Sequence, residues 1–241
     1  EDLFNLNEEK SQSQVWSFDI GYPIIERAKI KLDIYSHYTN IVNHGWGVTA
    51  PGLRFIIGER GFLTFKAEYR RSSDEFIFGY YDHTYEIERA NFVRNKATNE
   101  LEVITKQDKL KSIDKELNGF FVGLDINLAG YVIVGAHYQD LHGVDKDINR
   151  RSIRGEITLG EKLQAQIPVN AKGYYYQNNV ENFKEWKTPS TILGYMVGYN
   201  MNGVEVGFDY RYTFQDLDGN GLIRGDEETN KTIGLRTSMR F

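Results

Sequence analysis

Cysteine is absent from the 241-residue chain, which excludes a disulfide framework, a thiolate metal site and a cysteine nucleophile. Proline is scarce, with 4 residues. No stretch approaches 18 consecutive apolar residues, which excludes a transmembrane helix. No charged-then-apolar leader opens the sequence, and its first residue is Glu1 rather than Met. Either a leader has been removed or the chain starts inside a longer protein. A basic surplus is missing too: the net charge of -5 argues against a general nucleic-acid binder.

What is present points to β-structure. Aromatic residues make up 14%, mostly 16 Tyr and 14 Phe, and glycine is frequent at 23. At 40% hydrophobic and 26% charged, the chain has the composition of a folded protein. A mean hydropathy of -0.52 suggests solubility. An average, however, is blind to alternation, and a lipid-facing barrel strand is half polar.

Alternation is the strongest signal. Val204, Val206, Phe208, Tyr210, Tyr212 and Phe214 share one strand face, with Glu205, Gly207, Asp209, Arg211 and Thr213 on the other. Thr232–Phe241 repeats the pattern, with Ile233, Leu235, Thr237, Met239 and Phe241 opposite Gly234, Arg236, Ser238 and Arg240. The same period runs through 193–200, 165–172, 153–159, 132–139, 120–128, 63–70 and 28–35, with an earlier strand marked by Trp16, Phe18 and Ile20. Trp46–Gly58 is a further strand whose phase breaks near Pro51-Gly52, as at a bulge. Links are short near 59–60, 129–130, 161–163 and 201–203, and longer at 40–45, 72–117, 140–149, 177–190 and 215–230.

Amphipathic strands, short turns on one rim, long loops on the other and a final strand ending on Phe241 resemble a Gram-negative bacterial outer-membrane β-barrel. The resemblance implies an all-β, antiparallel, up-and-down transmembrane barrel over residues 14–241. Its turns would be periplasmic, its long loops extracellular, and residues 1–13 a periplasmic tail or linker. It implies contact with outer-membrane lipid and lipopolysaccharide, and assembly through the barrel-assembly machinery with Phe241 as the signal. The patterns place about 11 strands, whereas bacterial single-chain barrels have even counts. About 12 are therefore expected, within 10–14. The missing one is sought at Glu75–Tyr81, at Leu101–Lys106, in the N-terminal dozen residues, or before Glu1. A soluble barrel or sandwich is the competing reading. Mixed charges and recurring glycine on the polar face, with tyrosine near the strand ends (Tyr69, Tyr138, Tyr175, Tyr212), weigh against it.

The polar positions would line the lumen. They are Lys29, Lys31, Asp33, Lys66, Glu68, Arg70, Asp125, Arg154, Glu156, Lys172, Glu205, Asp209, Arg211, Arg236 and Arg240. Their mild basic excess suits a narrow porin-like channel for small polar or anionic solutes. A plug of salt-bridged side chains is equally compatible with them. The alternative functions are a membrane anchor or translocator for a partner or an N-terminal domain, and then an outer-membrane hydrolase. The hydrolase would use Asp82-His83 or Asp140 with His142, but no nucleophile motif surrounds any of the five histidines.

Two loops stand out. Residues 216–227 match the twelve-residue EF-hand calcium loop, with Asp216, Asp218, Asn220, the Leu222 carbonyl and Glu227 as ligands and Gly221 at the sharp turn. Arg224 departs from that pattern, and the flanks are strands. A weak Ca2+ site that stiffens the loop is expected there. Residues 72–117 open with Phe76, Phe78, Tyr80, Tyr81 and Tyr85 and then become highly charged, with a short helix expected over Lys109–Leu117. This segment would fold into the lumen or stand outside as a binding surface.

Overall fold

The structure, a computed structural model, describes residues 14–58, 62–82, 85–94, 101–143, 149–201, 204–217 and 222–239. In chain order the elements are β1 (Val15–Arg27), β2 (Ile30–Ile41), β3 (Trp46–Ile57), β4 (Leu63–Ser72), α1 (Tyr85–Glu88), β5 (Ala90–Arg94), β6 (Leu101–Thr105), α2 (Lys106–Lys111), β7 (Leu117–Leu128), β8 (Val132–Gly143), β9 (Asn149–Leu159), α3 (Glu161–Gln164), β10 (Val169–Asn178), β11 (Thr191–Met201), β12 (Val204–Phe214) and β13 (Thr229–Met239). All strands except β5 and β6 join one 11-stranded sheet, each antiparallel to its neighbours and in chain order. Among the described residues no helix is long and apolar enough to cross a membrane.

Every alternating segment of the sequence contributes a strand to this sheet, but the expected closed barrel of about 12 strands is not formed. The sheet has 11 strands, and its edges β1 and β13 are not paired with each other. An odd number of up-and-down strands leaves the first and last running the same way, so they cannot join antiparallel. The segment between β4 and β7 does not restore an even count. Leu101–Thr105 is a strand, but it pairs only with β5, and Glu75–Tyr81 is irregular.

Local chemistry explains the other departures. Ala165–Lys172 is strand only from Val169, because the N–H groups of Gln166 and Ile167 donate to the Leu163 carbonyl. The helix expected over Lys109–Leu117 is α2, which begins at Lys106. Thr105 caps it: its hydroxyl accepts from the Asp108 N–H (3.1 Å), and the Asp108 carboxylate accepts from the Thr105 N–H (2.9 Å). The Thr105 hydroxyl, which donates to the Asp108 carboxylate (2.6 Å), and the Thr105 N–H together hold the Asp108 carboxyl below its ordinary value. Between β7 and β8, Ala129 and Gly130 take φ of 54° and 84° at the centre of a tight turn closed by the Tyr131 N–H on the Leu128 carbonyl (2.9 Å).

The core sits at one rim. Ile41, Leu117 and Leu141, at the long-loop ends of β2, β7 and β8, bury with Phe76, Tyr80, Leu110 and Ile113 of the β4–β7 insertion. The insertion therefore caps one face of the sheet, here called the inner face. Two glycines admit it: a Cβ on Gly47 would fall 2.1 Å from the Phe76 ring, and one on Gly45 would fall 2.0 Å from the Asp74 carbonyl oxygen. Gly47→Val should expel Phe76 and weaken docking by about 1–3 kcal/mol. Limited proteolysis should then cut the 73–116 segment under conditions that spare the parent. Gly155→Ala, with open space around it, should leave the cleavage pattern unchanged.

Candidate functional site: a paired inner face beneath a tethered cap

Most of the expected lumen residues lie on the inner face, and the structure brings them together as ion pairs. Asp33 accepts from Arg54 Nε (2.9 Å) and Nη2 (2.6 Å). Glu68 accepts from the Tyr35 hydroxyl (2.5 Å) and from Arg70 Nε (2.7 Å), while Arg70 also donates to Gln139. The Arg70 guanidinium stacks 4.0 Å from the Phe121 ring centre and 5.0 Å from that of Phe78. Glu156 gathers Arg154 (Nε, 2.8 Å), Lys172 (3.1 Å) and the Tyr176 hydroxyl. Asp209 gathers Arg211 (Nε, 2.6 Å) and the Tyr174 hydroxyl (2.8 Å). Asp125 faces His137 at 3.3 Å, and Arg236 reaches the Met196 sulfur at 3.2 Å. Glu205 packs across from Gly198, where a Cβ would fall 2.9 Å from its carboxylate.

Three expected positions differ. Lys29 lies in the β1–β2 turn and Lys31 is exposed at the turn end of β2, whereas Arg240 lies outside the described residues, as does the proposed assembly signal Phe241. Arg54 was not singled out from sequence because a register shift between Thr49 and Gly52 moves the inward positions of β3 from odd to even numbers. The phase break near Pro51-Gly52 was the available signal.

A cavity of about 1190 Å3 lies between the insertion and the inner face of β1–β4 and β7–β10. A smaller one of about 420 Å3 continues along β10–β13, beside Lys172, Tyr174, Asp209, Arg211 and Arg236. The cap is tied down on both sides of the opening. Toward the β2–β3 turn, His44 Nδ1 meets Glu75 at 2.7 Å and its Nε2 meets Gln107 at 3.3 Å. On the opposite wall Asn178 Nδ2 donates to Glu88 at 2.8 Å. Lys106, 4% exposed, joins the two parts of the cap. Its ammonium is 3.1 Å from Glu88 and 3.6 Å from Asp82, and lies over the Tyr80 and Tyr85 rings. Burial and the neighbouring Tyr85 and Tyr81 push the Tyr80 hydroxyl up to about 12. Burial likewise lowers the pKa of Lys109, with Glu88 opposing and Lys106 and Arg150 reinforcing the shift.

The other expected sites are less complete. Of the calcium-loop ligands, Asp218 and Asn220 lie outside the described residues, while Leu222 and Glu227 are exposed. Among the described residues no group of three His, Asp or Glu stands close enough to hold a metal. The buried acid of this loop is Glu228, which accepts the N–H groups of Leu217 (3.1 Å) and Arg224 (2.6 Å) and so ties the loop's two strand ends. Of the hydrolase candidates, His83 lies outside the described residues, and Asp140 is engaged by the Tyr138 hydroxyl (3.2 Å) and by Arg151 (3.5 Å). Compared with protein-family models and with curated proteins, the sequence matches none.

Removing one member of a largely buried ionic cluster leaves its partners unsatisfied. Glu156→Gln should therefore lower stability by about 1–3 kcal/mol, read as a drop in melting temperature. Glu116→Gln, which breaks the exposed pair with Arg71, should leave the melting temperature unchanged.

Proposed function

We propose that the chain forms the wall of a bacterial outer-membrane β-barrel whose lumen passes small polar, preferentially anionic, solutes through a narrow, partly capped path. One observation carries the reading: among the described residues, most of the apolar face of the sheet has nothing packed against it. Phe18 is 61% exposed, Tyr22 70%, Phe208 61% and Leu235 70%, and Trp16, Tyr69, Phe120, Tyr195 and Tyr199 are exposed on the same face. At roughly 100 Å2 each, such side chains sum to on the order of 1,000 Å2, beyond the few hundred usual for a soluble monomer. Acyl chains cover a surface of that size and shape without any protein partner. The ion-paired opposite face supports a solvated or enclosed interior. The anionic preference rests on the basic side chains lining the larger cavity, which outnumber the acidic ones.

The open edges favour a second reading, a barrel that anchors or exports a partner. In lipid each unpaired backbone group costs several kcal/mol, so β1 and β13 need partners. A strand antiparallel to both, contributed by another segment or protein, would satisfy the two edges at once. The loop between β12 and β13 is proposed, on its residue pattern, as a weak calcium site.

Purified protein in a planar bilayer should give discrete currents with anion-over-cation selectivity; a silent bilayer favours the anchor. Phe208→Arg should cost about 2–4 kcal/mol or block assembly, measured by heat-modifiable migration, while Lys66→Gln on the inner face assembles normally. Millimolar calcium should raise the melting temperature of the parent and leave that of Glu227→Gln unmoved.

A further inference from the structure

His37 stands between two hydrogen-bonding partners on the inner face. Its Nδ1 meets the Asp19 carboxylate, and its Nε2 meets the Thr39 hydroxyl. The strands set this arrangement. Period two puts His37 and Thr39 on the same face of β2, and the β1–β2 register places Asp19 directly across from His37. A carboxylate only accepts, so Nδ1 carries the proton and Nε2 is left to accept from the Thr39 hydroxyl. A hydroxyl, a base within hydrogen-bond reach of it and a carboxylate that orients the base form the constellation of an activated nucleophile. The carboxylate comes from the neighbouring strand, 18 residues from the histidine, so no local motif announces it.

All three side chains line the larger cavity. An apolar wall stands beside the hydroxyl. Thr39 pairs with Gly47 across β2–β3, and the Phe76 ring occupies the place that a Cβ on Gly47 would take. Phe78 packs edge-on against Phe76, with ring centres 5.1 Å apart, and both rings line the cavity. A purely structural role accounts poorly for the cluster. Asp19 lies exposed on the edge strand, where an ion pair contributes little to stability.

We propose that Thr39, His37 and Asp19 form a hydrolytic site for carboxylic esters with a short apolar acyl chain, which lies along Phe76 and Phe78. The Thr39 oxygen attacks the ester carbonyl carbon while His37 Nε2 takes the hydroxyl proton. The bond to the alcohol oxygen then breaks, and His37 gives the proton to the departing alcohol. The acyl group is left on Thr39 as an ester. Water attacks that carbonyl and gives a proton to His37, which passes it to the leaving Thr39 oxygen as the carboxylic acid is released. Ester and water are consumed, acid and alcohol are formed, and no other reactant is needed. Thr39 and His37 are the catalytic residues, and Asp19 is a positioning residue. The proposal goes beyond the channel reading and does not rest on it, because the cluster is complete on β1 and β2 whether or not the lumen conducts.

The test gives the purified full-length chain in detergent micelles p-nitrophenyl butyrate and follows release of p-nitrophenolate. Turnover should saturate, and its kcat should exceed that of Thr39→Val and of His37→Gln by at least about a hundredfold. Thr39→Ser, which keeps the hydroxyl, should keep the activity. Asp19→Asn should lower kcat about fivefold at unchanged KM, the effect of losing an exposed ion pair, and Asp19→Glu should recover part of the loss. Ethyl p-nitrophenyl butylphosphonate, which loses p-nitrophenolate to the attacking oxygen and then stops, should label the unmutated protein on Thr39, located by peptide mass spectrometry. That label needs no variant to fold. Turnover no faster than that of Thr39→Val, undiminished turnover in His37→Gln, loss of activity in Thr39→Ser, an unchanged kcat in Asp19→Asn, or a label on any residue but Thr39 would each overturn the site. A silent bilayer with turnover intact would remove the channel reading and leave the site standing.

Discussion

Period-two alternation gives a single sheet two chemically opposed faces and no interior of its own, and the rest of this structure follows from how each face is satisfied. A sandwich hides its apolar faces against each other. Among the described residues there is one large sheet, its apolar side is left mostly uncovered, and its ionic side satisfies itself. It does so locally. Arg70 reaches Glu68 and Arg211 reaches Asp209 two residues away on the same strand, and the Tyr35 and Tyr174 hydroxyls reach the same two carboxylates from two strands away.

The insertion between β4 and β7 provides the packing that the sheet lacks. Its apolar residues meet the loop-side ends of β2, β7 and β8, and together they hold seven of the eleven buried hydrophobic side chains among the described residues. Close approach is made possible by glycine just before β3 at position 45 and at its second residue, position 47. Lys106 couples the cap internally, and Glu75, Gln107 and Glu88 couple it to the walls. A cap secured on both sides narrows the opening without filling the space below, and more basic than acidic side chains line that space.

Strand parity is the unresolved constraint of the architecture itself. With 11 up-and-down strands the two edges run parallel, and a second copy held in the same orientation would again offer parallel edges. Antiparallel closure therefore calls for an odd number of further strands. The two strands of the insertion contribute none, because β5 and β6 satisfy each other.

Much of the fold was legible in the residues. The eleven amphipathic segments, the inner positions of Glu68, Glu156, Asp209 and Arg211, and the division into short and long links all follow from a side-chain period that needs no knowledge of neighbours. Position-by-position reading lost track where local hydrogen bonds or a bulge reset the phase, as at 165–168 and in β3, and so it passed over Arg54. It could not foresee that Phe76 and Tyr80 bury at the rim, that Glu228 rather than Glu227 is the buried acid among the described residues of its loop, or that Lys106 comes to lie between Glu88 and Asp82. Those outcomes join residues distant in sequence, and what decides them is which chain segment reaches which wall. The sequence by itself determined the strands and the chemistry of their two faces, because alternation is a property of each strand alone. Only the tertiary structure decided the cap, the cavity and the side chains gathered around it, because what lines a site depends on everything the fold brings together there.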